Sequence, residues 1–107
     1  MMYHDFTAGD KAYKLRLNTR AIVAMEKQIG CNPMAIFGNG DTMPTISVMV
    51  SILHASLQAY HHGITMNDAY DIFDAYMEEH TPDEFLYEIL AIYKVSGIIK
   101  EVKSEKN

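Results

Sequence analysis

The residues best suited to chemistry in this chain are its five histidines and its single cysteine. His54 and His61 are spaced two helical turns apart, and His62 adjoins them. Zinc sites need three or four convergent ligands, so a metal site here requires a further ligand from elsewhere in the fold. Cys31 has no histidine near it in the sequence, so a cysteine nucleophile also requires a distant partner. We therefore predict polar histidines on helix faces, a structural thiol and no cofactor.

A run of carboxylates is the second chemical feature of the sequence. Its members have the spacing of one helix face: Asp68, Asp71, Asp74, Glu78 and Glu79. Calcium ligands of the EF-hand type come instead from a D-x-D-x-D-G loop, which the sequence lacks. The sequence also contains no P-loop, no dinucleotide glycine fingerprint and no G-x-S-x-G motif. We expect a binding surface rather than an enzyme.

An N-terminal β-hairpin is the first element that the sequence predicts. Residues 13–17 alternate between apolar and basic side chains, which is the period of a half-buried strand. Gly9-Asp10 supplies a two-residue turn, so residues 3–8 are expected to form the partner strand. Closing the hairpin at this turn pairs Ala8 with Lys11 and Phe6 with Tyr13.

Caps and apolar periodicity predict four to five helices after the hairpin. The predicted helical segments are 18–30, 32–37, 42–62, 65–79 and 81–97. The fold class is therefore mainly α, a single compact helical domain with an N-terminal β-hairpin. Within it, residues 1–17 form the hairpin, 18–97 a helical bundle and 98–107 a charged tail whose last residues we expect to be mobile.

The helix predicted over 42–62 carries no charge and has apolar side chains on two faces, so we expect neighbours on both sides. A strip of Ser, His and Gln interrupts the run of ~18–20 apolar residues that a membrane span needs, so no membrane partner is expected. The two helices that follow are amphipathic. Their predicted core stripes are Met66, Ala69, Tyr70, Phe73, Tyr76 and Met77, and then Phe85, Leu86, Ile89, Leu90 and Tyr93.

Charge is segmented along the chain. All nine basic residues lie within 1–27 and 94–107, whereas residues 28–93 carry nine carboxylates and no Lys or Arg. The net charge of −5 disfavours a nucleic-acid partner, because such affinity comes largely from a basic face. The basic ends fold back on the acidic middle within one subunit or contact it on a neighbour, and the sequence leaves both arrangements open. The second predicts a homo-oligomer, a ring or a spiral, that associates through Lys14, Arg16, Lys100 and Lys103.

The expected compartment is cytoplasmic. A single cysteine cannot form an internal disulfide, and the chain opens without a charged and apolar leader.

Two stretches of the sequence follow longer motifs. From Ala21 through Glu26 and Gly30 to Pro33 the chain reads A-I-x-x-x-E-x-x-x-G-x-N-P, after a strand and a short cap. Residues 61–71 contain H-G-I-T-x-x-x-x-Y-D immediately before the acidic helix. In both stretches, and in their order along the chain, the sequence resembles the tail assembly chaperones of long-tailed bacteriophages and prophages.

This resemblance implies a small, mostly helical protein that binds the tape-measure protein and keeps it soluble until tail-tube subunits polymerise around it. It also implies action in the cytoplasm of the bacterial host and absence from the mature virion. In many such phages a frameshifted longer fusion product recruits the tail tube protein.

Partner binding is expected on the acidic helix face and on apolar side chains outside the core stripes. The residues concerned are Asp71, Asp74, Glu78, Tyr87 and Val95. Eight methionines and seven tyrosines supply the adaptable side chains that suit such binding. The alternative is a small acidic inhibitor or immunity-type protein that blocks a basic enzyme surface through the acidic helix. A third hypothesis is a metal-dependent hydrolase that uses the histidines.

Overall fold

Two strands, four α-helices and a short 3₁₀ helix make up the computed structural model, which describes residues 2–30, 32–37 and 43–99. The predicted fold class, mainly α with an N-terminal β-hairpin, is confirmed. Cys31 and the predictions for residues 100–107 lie outside the described residues. In chain order the elements are β1 (His4–Ala8), β2 (Lys11–Leu15), α1 (Thr19–Ile29), the 3₁₀ helix (Pro33–Phe37), α2 (Ile46–Leu57), α3 (Met66–Met77) and α4 (Pro82–Val95).

The hairpin has the register that its alternating pattern predicts, with Phe6 opposite Tyr13. Its turn places Gly9 at φ +64°, a conformation that a residue with a side chain adopts only with steric strain. A side-chain carbon at Gly9 would lie 3.7 Å from the Cβ atom of Ala75, so the turn also packs against α3. Phe6 and Leu15 are buried, which anchors one face of the hairpin on the helices.

The predicted helix caps are present for α1 and α3. The Asn18 side chain accepts a hydrogen bond from the Ala21 N–H, and Gly30 ends α1 in the left-handed conformation. At the start of α3, the Thr65 hydroxyl accepts from the Asp68 N–H while the Asp68 carboxylate accepts from the Thr65 N–H. This reciprocal capping box fixes where α3 begins.

Helix α2 is shorter than the predicted segment 42–62, so both predicted ends were wrong. It begins at Ile46, because the Thr45 hydroxyl caps the helix by accepting from the Val48 N–H. It ends at Leu57, after which the Gln58 side-chain amide donates to the carbonyls of His54 and Ile64 and ties the end of α2 to the segment before α3.

Helix α2 is nevertheless the centre of the core, with neighbours on both sides as predicted. It packs against α1, α3, α4 and β2. The hydroxyls of its two buried serines donate to carbonyls within the same helix, so neither hydroxyl is a buried donor without an acceptor. The buried residues of α2 are Met49, Val50, Ser51, Ile52, Leu53, Ala55, Ser56 and Leu57.

The predicted core stripes of α3 and α4 were wrong at particular positions. On α3, Tyr70 is 46% exposed and Ile72 is buried in the core. On α4, Leu86 and Leu90 are only half-buried, whereas Ile92 has no exposed surface. Both helices have apolar side chains on either side of the predicted stripe, so the helical spacing alone does not show which of them are buried. The packing of α3 and α4 against β1 decides it.

Three hydrogen bonds fasten the N-terminal segment to α4 and its C-cap residue Ser96 within the same subunit, and one of them reaches a carboxylate of the acidic middle, Glu88. They join His4 Nε2 to Glu88 Oε1 (2.6 Å), Arg16 Nη1 to the Val95 carbonyl oxygen (2.7 Å) and the Leu17 N–H to Ser96 Oγ (2.8 Å).

Ile98 and Ile99 are half-buried and pack against the core, so the packed part of the chain extends to Ile99 rather than ending at residue 97. None of the described helices has the length and apolar character needed to cross a membrane.

Candidate partner-binding surface

A groove of about 550 Å³ lies between the hairpin turn and α3, and we call it the hairpin–α3 groove. Its floor is mainly apolar and its rim is charged. The uncharged lining consists of Ala8, Gly9, Tyr13, Ile64, Ile72 and Ala75. The charged lining consists of Asp10, Lys11, Asp68 and Asp71.

Helix periodicity and the hairpin turn together form this groove. Asp68, Asp71, Ile72 and Ala75 follow at spacings of three, four and seven residues, so they lie along one side of α3. Gly9 brings the hairpin turn close to Ala75 on the opposite side. The groove therefore has one helical wall and one wall made by the hairpin.

The electrostatics of the groove are acidic. Three carboxylates and one lysine line it, which gives a formal charge of −2. Hydrogen bonds from Thr65, chiefly from its backbone N–H, hold the pKa of Asp68 below its ordinary value, so this carboxylate is ionised at neutral pH. Among the described residues, two carboxylates lie within 4 Å of a histidine ring nitrogen, Glu88 beside His4 and Glu84 beside His80, and both are outside the groove. Within the same part of the chain, the three groove carboxylates therefore have no basic side chain at salt-bridge distance.

Of the predicted partner-binding residues, the structure places one in the groove. Asp71, Asp74 and Glu78 are all exposed along α3, but Asp71 alone among them lines the groove. Tyr87 is 71% exposed on α4, outside the core as predicted. Val95 is half-buried, and its carbonyl is held by Arg16. These five residues therefore do not form one continuous site.

The predicted self-association residues also differ in their surroundings. Lys14 is exposed, whereas the half-buried Arg16 uses Nη1 to donate to the carbonyl oxygens of Met2 and Val95 in its own subunit. Because that guanidinium is already bound internally, it is poorly placed to reach a neighbouring subunit. Lys100 and Lys103 lie outside the described residues.

Lys14 belongs to an aromatic cluster on the hairpin surface, formed with Tyr3, Tyr60 and His61, which we call the tyrosine–lysine cluster. Its ammonium lies 4.9 Å from the ring centre of Tyr3 and 5.9 Å from that of Tyr60. The two tyrosine rings meet edge to face at 5.5 Å. Nε2 of His61 accepts a hydrogen bond from the Lys14 N–H at 2.9 Å. Aromatic and cationic side chains of this kind are common at protein interfaces.

Burial lowers the pKa of His61, and the Lys14 ammonium lowers it further. The neutral imidazole is also the form that accepts a hydrogen bond at Nε2 from the Lys14 N–H. His61 is therefore a neutral structural acceptor on the outer edge of β2 at pH 7.

The histidines are dispersed, and the described ranges contain no group of three or more potential metal ligands. His4 and His80 hydrogen-bond or pair with carboxylates, and His61 accepts from the hairpin backbone. His54 is half-buried on α2 and His62 is exposed.

Sequence reasoning found the acidic side of α3 but missed the hairpin–α3 groove. The two walls lie in residues 8–13 and 64–75, so their contact is a property of the tertiary fold. The small side chains at Ala8, Gly9 and Ala75 were the only local signal of a close approach. Comparison of the chain with protein-family models, with curated proteins and with solved structures finds no match.

Proposed function

We propose that the chain is a phage tail assembly chaperone, which binds the tape-measure protein and keeps it soluble during tail-tube assembly by non-catalytic binding. The observation that carries this proposal is the hairpin–α3 groove, which joins an apolar floor to a rim of exposed carboxylates. A long helical client exposes apolar stripes that aggregate unless another surface covers them. A small protein with an accessible groove and a strong negative charge covers such a stripe and keeps the complex soluble.

The proposal includes the stage at which the protein acts. It binds the client in the cytoplasm of the bacterial host, leaves it as tube subunits polymerise and is absent from the mature virion. A frameshifted fusion product, where one is made, recruits the tail tube protein.

Self-association into a ring or spiral is part of the same proposal. It is supported by two exposed surfaces of opposite charge on one subunit, the acidic side of α3 and Lys14 in the tyrosine–lysine cluster. Contact between two different surfaces propagates head to tail and generates rings or spirals.

Co-expression tests the proposed function. The tape-measure protein encoded in the same phage or prophage is produced with and without this chain, and its soluble fraction is measured. We expect a soluble complex that co-elutes on size exclusion in the first case and aggregate in the second. Aggregation in both cases, or equal solubility without complex formation, contradicts the proposal.

The exposed carboxylates Asp71, Asp74 and Glu78 also suit an acidic inhibitor or immunity-type protein that covers a basic enzyme surface. The discriminating measurement is affinity purification from the native host. Recovery of a basic enzyme whose activity the chain blocks, in place of a tail protein, selects this second function.

A further inference from the structure

We infer that the hairpin–α3 groove is the client site and that the client segment is an amphipathic helix whose apolar stripe is flanked by lysine or arginine; this inference rests on the proposed chaperone function. Three properties of the groove support this assignment: its shape, its backbone groups and its charge.

The dimensions of the groove match a short length of helix. The wall of α3 from Asp68 to Ala75 contains eight residues, and the seven steps between them rise about 10 Å at 1.5 Å per residue. That length accommodates about two turns of a client helix. The uncharged lining combines one large side chain, Tyr13, with small or branched ones at Ala8, Ala75, Ile64 and Ile72, so a client helix with modest apolar side chains can approach closely beside Ala8 and Ala75.

The outer edge of β2 is partly closed to an added strand. A strand binds through unpaired N–H and carbonyl groups at a sheet edge. Two outward N–H groups along this edge are occupied, because that of Lys14 is accepted by His61 and that of Arg16 by the Ser56 carbonyl. The helical wall of the groove consists of α3, whose backbone groups are bonded within the helix, so it offers side chains, which is the surface that an amphipathic helix recognises.

The charge of the rim defines what flanks the apolar stripe of the client. Asp10 lies on the hairpin wall, whereas Asp68 and Asp71 lie on the helical wall, so carboxylates border the floor on two sides. Lysine and arginine side chains lay their methylene stems along apolar surface while the charged end reaches a carboxylate at the rim. A client helix with basic residues on both sides of its apolar stripe can pair with the carboxylates of both walls at the same time.

A pair of charge reversals tests the assignment. The probe is a synthetic alanine- and leucine-based helical peptide with lysines flanking its leucine stripe, titrated into the intact protein by fluorescence anisotropy. Asp71→Lys places a like charge against the probe and should raise the Kd by at least ~10-fold. Asp83→Lys makes the same charge change at an exposed position on α4, outside the groove, and should change the Kd by less than ~2-fold. Equal effects of the two variants overturn the assignment.

Two further comparisons separate the apolar floor from general charge attraction. Ile64→Ser shortens a half-buried floor residue and should weaken binding, whereas Val23→Ser, at an exposed apolar position on α1, should leave it unchanged. A matched peptide with glutamates in place of the lysines should not bind. Circular dichroism of each variant checks that the fold is retained, and binding of the glutamate peptide as tightly as the lysine peptide overturns the inference.

The co-expression assay distinguishes failure of this inference from failure of the proposed function. If the wild-type chain keeps the tape-measure protein soluble and Asp71→Lys does not, the client site is the groove. If both keep it soluble, the chaperone function stands and the groove assignment is wrong. If the wild-type chain binds the lysine peptide but never solubilises the tape-measure protein, the groove chemistry stands and the proposed function is wrong.

Discussion

Leu53 and Glu78 occupy opposite environments. Leu53 lies in the middle of α2 with no exposed surface, whereas Glu78 is exposed at the end of α3. We expect Leu53→Ala to lower the free energy of unfolding by ~2–5 kcal/mol, because it removes buried methyl groups and leaves a cavity. Glu78→Ala should change it by less than about 0.5 kcal/mol. Chemical denaturation measures both, and similar losses would contradict these environments.

His61 gives stability a dependence on pH. Burial and Lys14 place its pKa in the folded state below the ordinary histidine value of 6.5, so the unfolded chain takes up the proton first as the pH falls. The stability associated with neutral His61 is therefore present above pH 6.5 and is lost as the pH falls from 6.5 towards the folded-state pKa. Denaturant titrations at several pH values between 7 and about 5 should show this loss for the wild type.

The matched variants for this effect are His61→Gln, which removes the titrating group, and His62→Gln at the exposed neighbouring position. We expect the pH-dependent loss to be smaller in His61→Gln than in the wild type and unchanged in His62→Gln. An unchanged slope in His61→Gln would show that other groups cause the pH dependence.

Cap residues were predictable from the sequence because their hydrogen bonds are local. Asn18 and Thr65 accept hydrogen bonds from backbone N–H groups three residues further along the chain, so donor and acceptor lie within one short sequence motif. Arg16 was not predictable in the same way. It has the sequence context of an exposed strand residue, but its guanidinium reaches a carbonyl 79 residues away.

One face of helix α3 packs in the core, and another face lines the candidate site. Ala69, Phe73 and Tyr76 are buried, and Phe6 stacks on Tyr76 at 5.2 Å between ring centres. The side that carries Asp68 and Asp71 lines the groove. The position of these carboxylates therefore depends on where the helix begins, which Thr65 determines.

Removing that cap should destabilise the protein. Thr65→Ala deletes the hydroxyl that accepts from the Asp68 N–H, and should lower the free energy of unfolding by ~0.5–2 kcal/mol. Thr65→Ser keeps an acceptor and should retain most of the stability. The measurement is thermal unfolding by circular dichroism, and equal melting temperatures for the wild type and Thr65→Ala would show that the capping hydrogen bond contributes nothing.

At the level of elements, the turn and register of the hairpin could be predicted because strand alternation and a glycine turn determine them, although β2 ends at Leu15 and not at residue 17. The end of α2 could not, because the side chain of Gln58 and the carbonyl of Ile64 meet only after the chain has turned. The burial of Ile72 in place of Tyr70 likewise depends on where neighbouring elements lie. Local patterns identify elements, whereas contacts between elements decide their ends and buried sides.

For the whole molecule, the testable property is association between subunits. We expect concentration-dependent association at low salt, weakened at high salt because exposed charges are screened over ~8 Å at physiological ionic strength. Lys14→Glu should weaken the association further, because Lys14 is exposed and belongs to the predicted basic surface. Light scattering across concentration and salt measures this. A monomer at tens of micromolar and low salt would contradict self-association without client.

Arg16→Gln is the contrasting variant for that experiment. Because Arg16 donates to Met2 and Val95 within its own subunit, its loss should lower the melting temperature more than it changes association. A variant that abolishes association without changing the melting temperature would place Arg16 in the interface instead.

The contacts between the hairpin and α4 have a consequence for folding during synthesis, because the two elements are made at different times. His4 and Glu88 are 84 residues apart in the chain. At ribosomal rates of ~5–20 residues per second, roughly 4 to 17 s pass between their appearances. During that interval Phe6 emerges without the α4 residue Phe85 that it later contacts edge to face. Strand β1 is therefore made well before α4, and Phe6, which can stack on Tyr76 as soon as α3 has formed, completes its aromatic contacts only after α4 has left the ribosome.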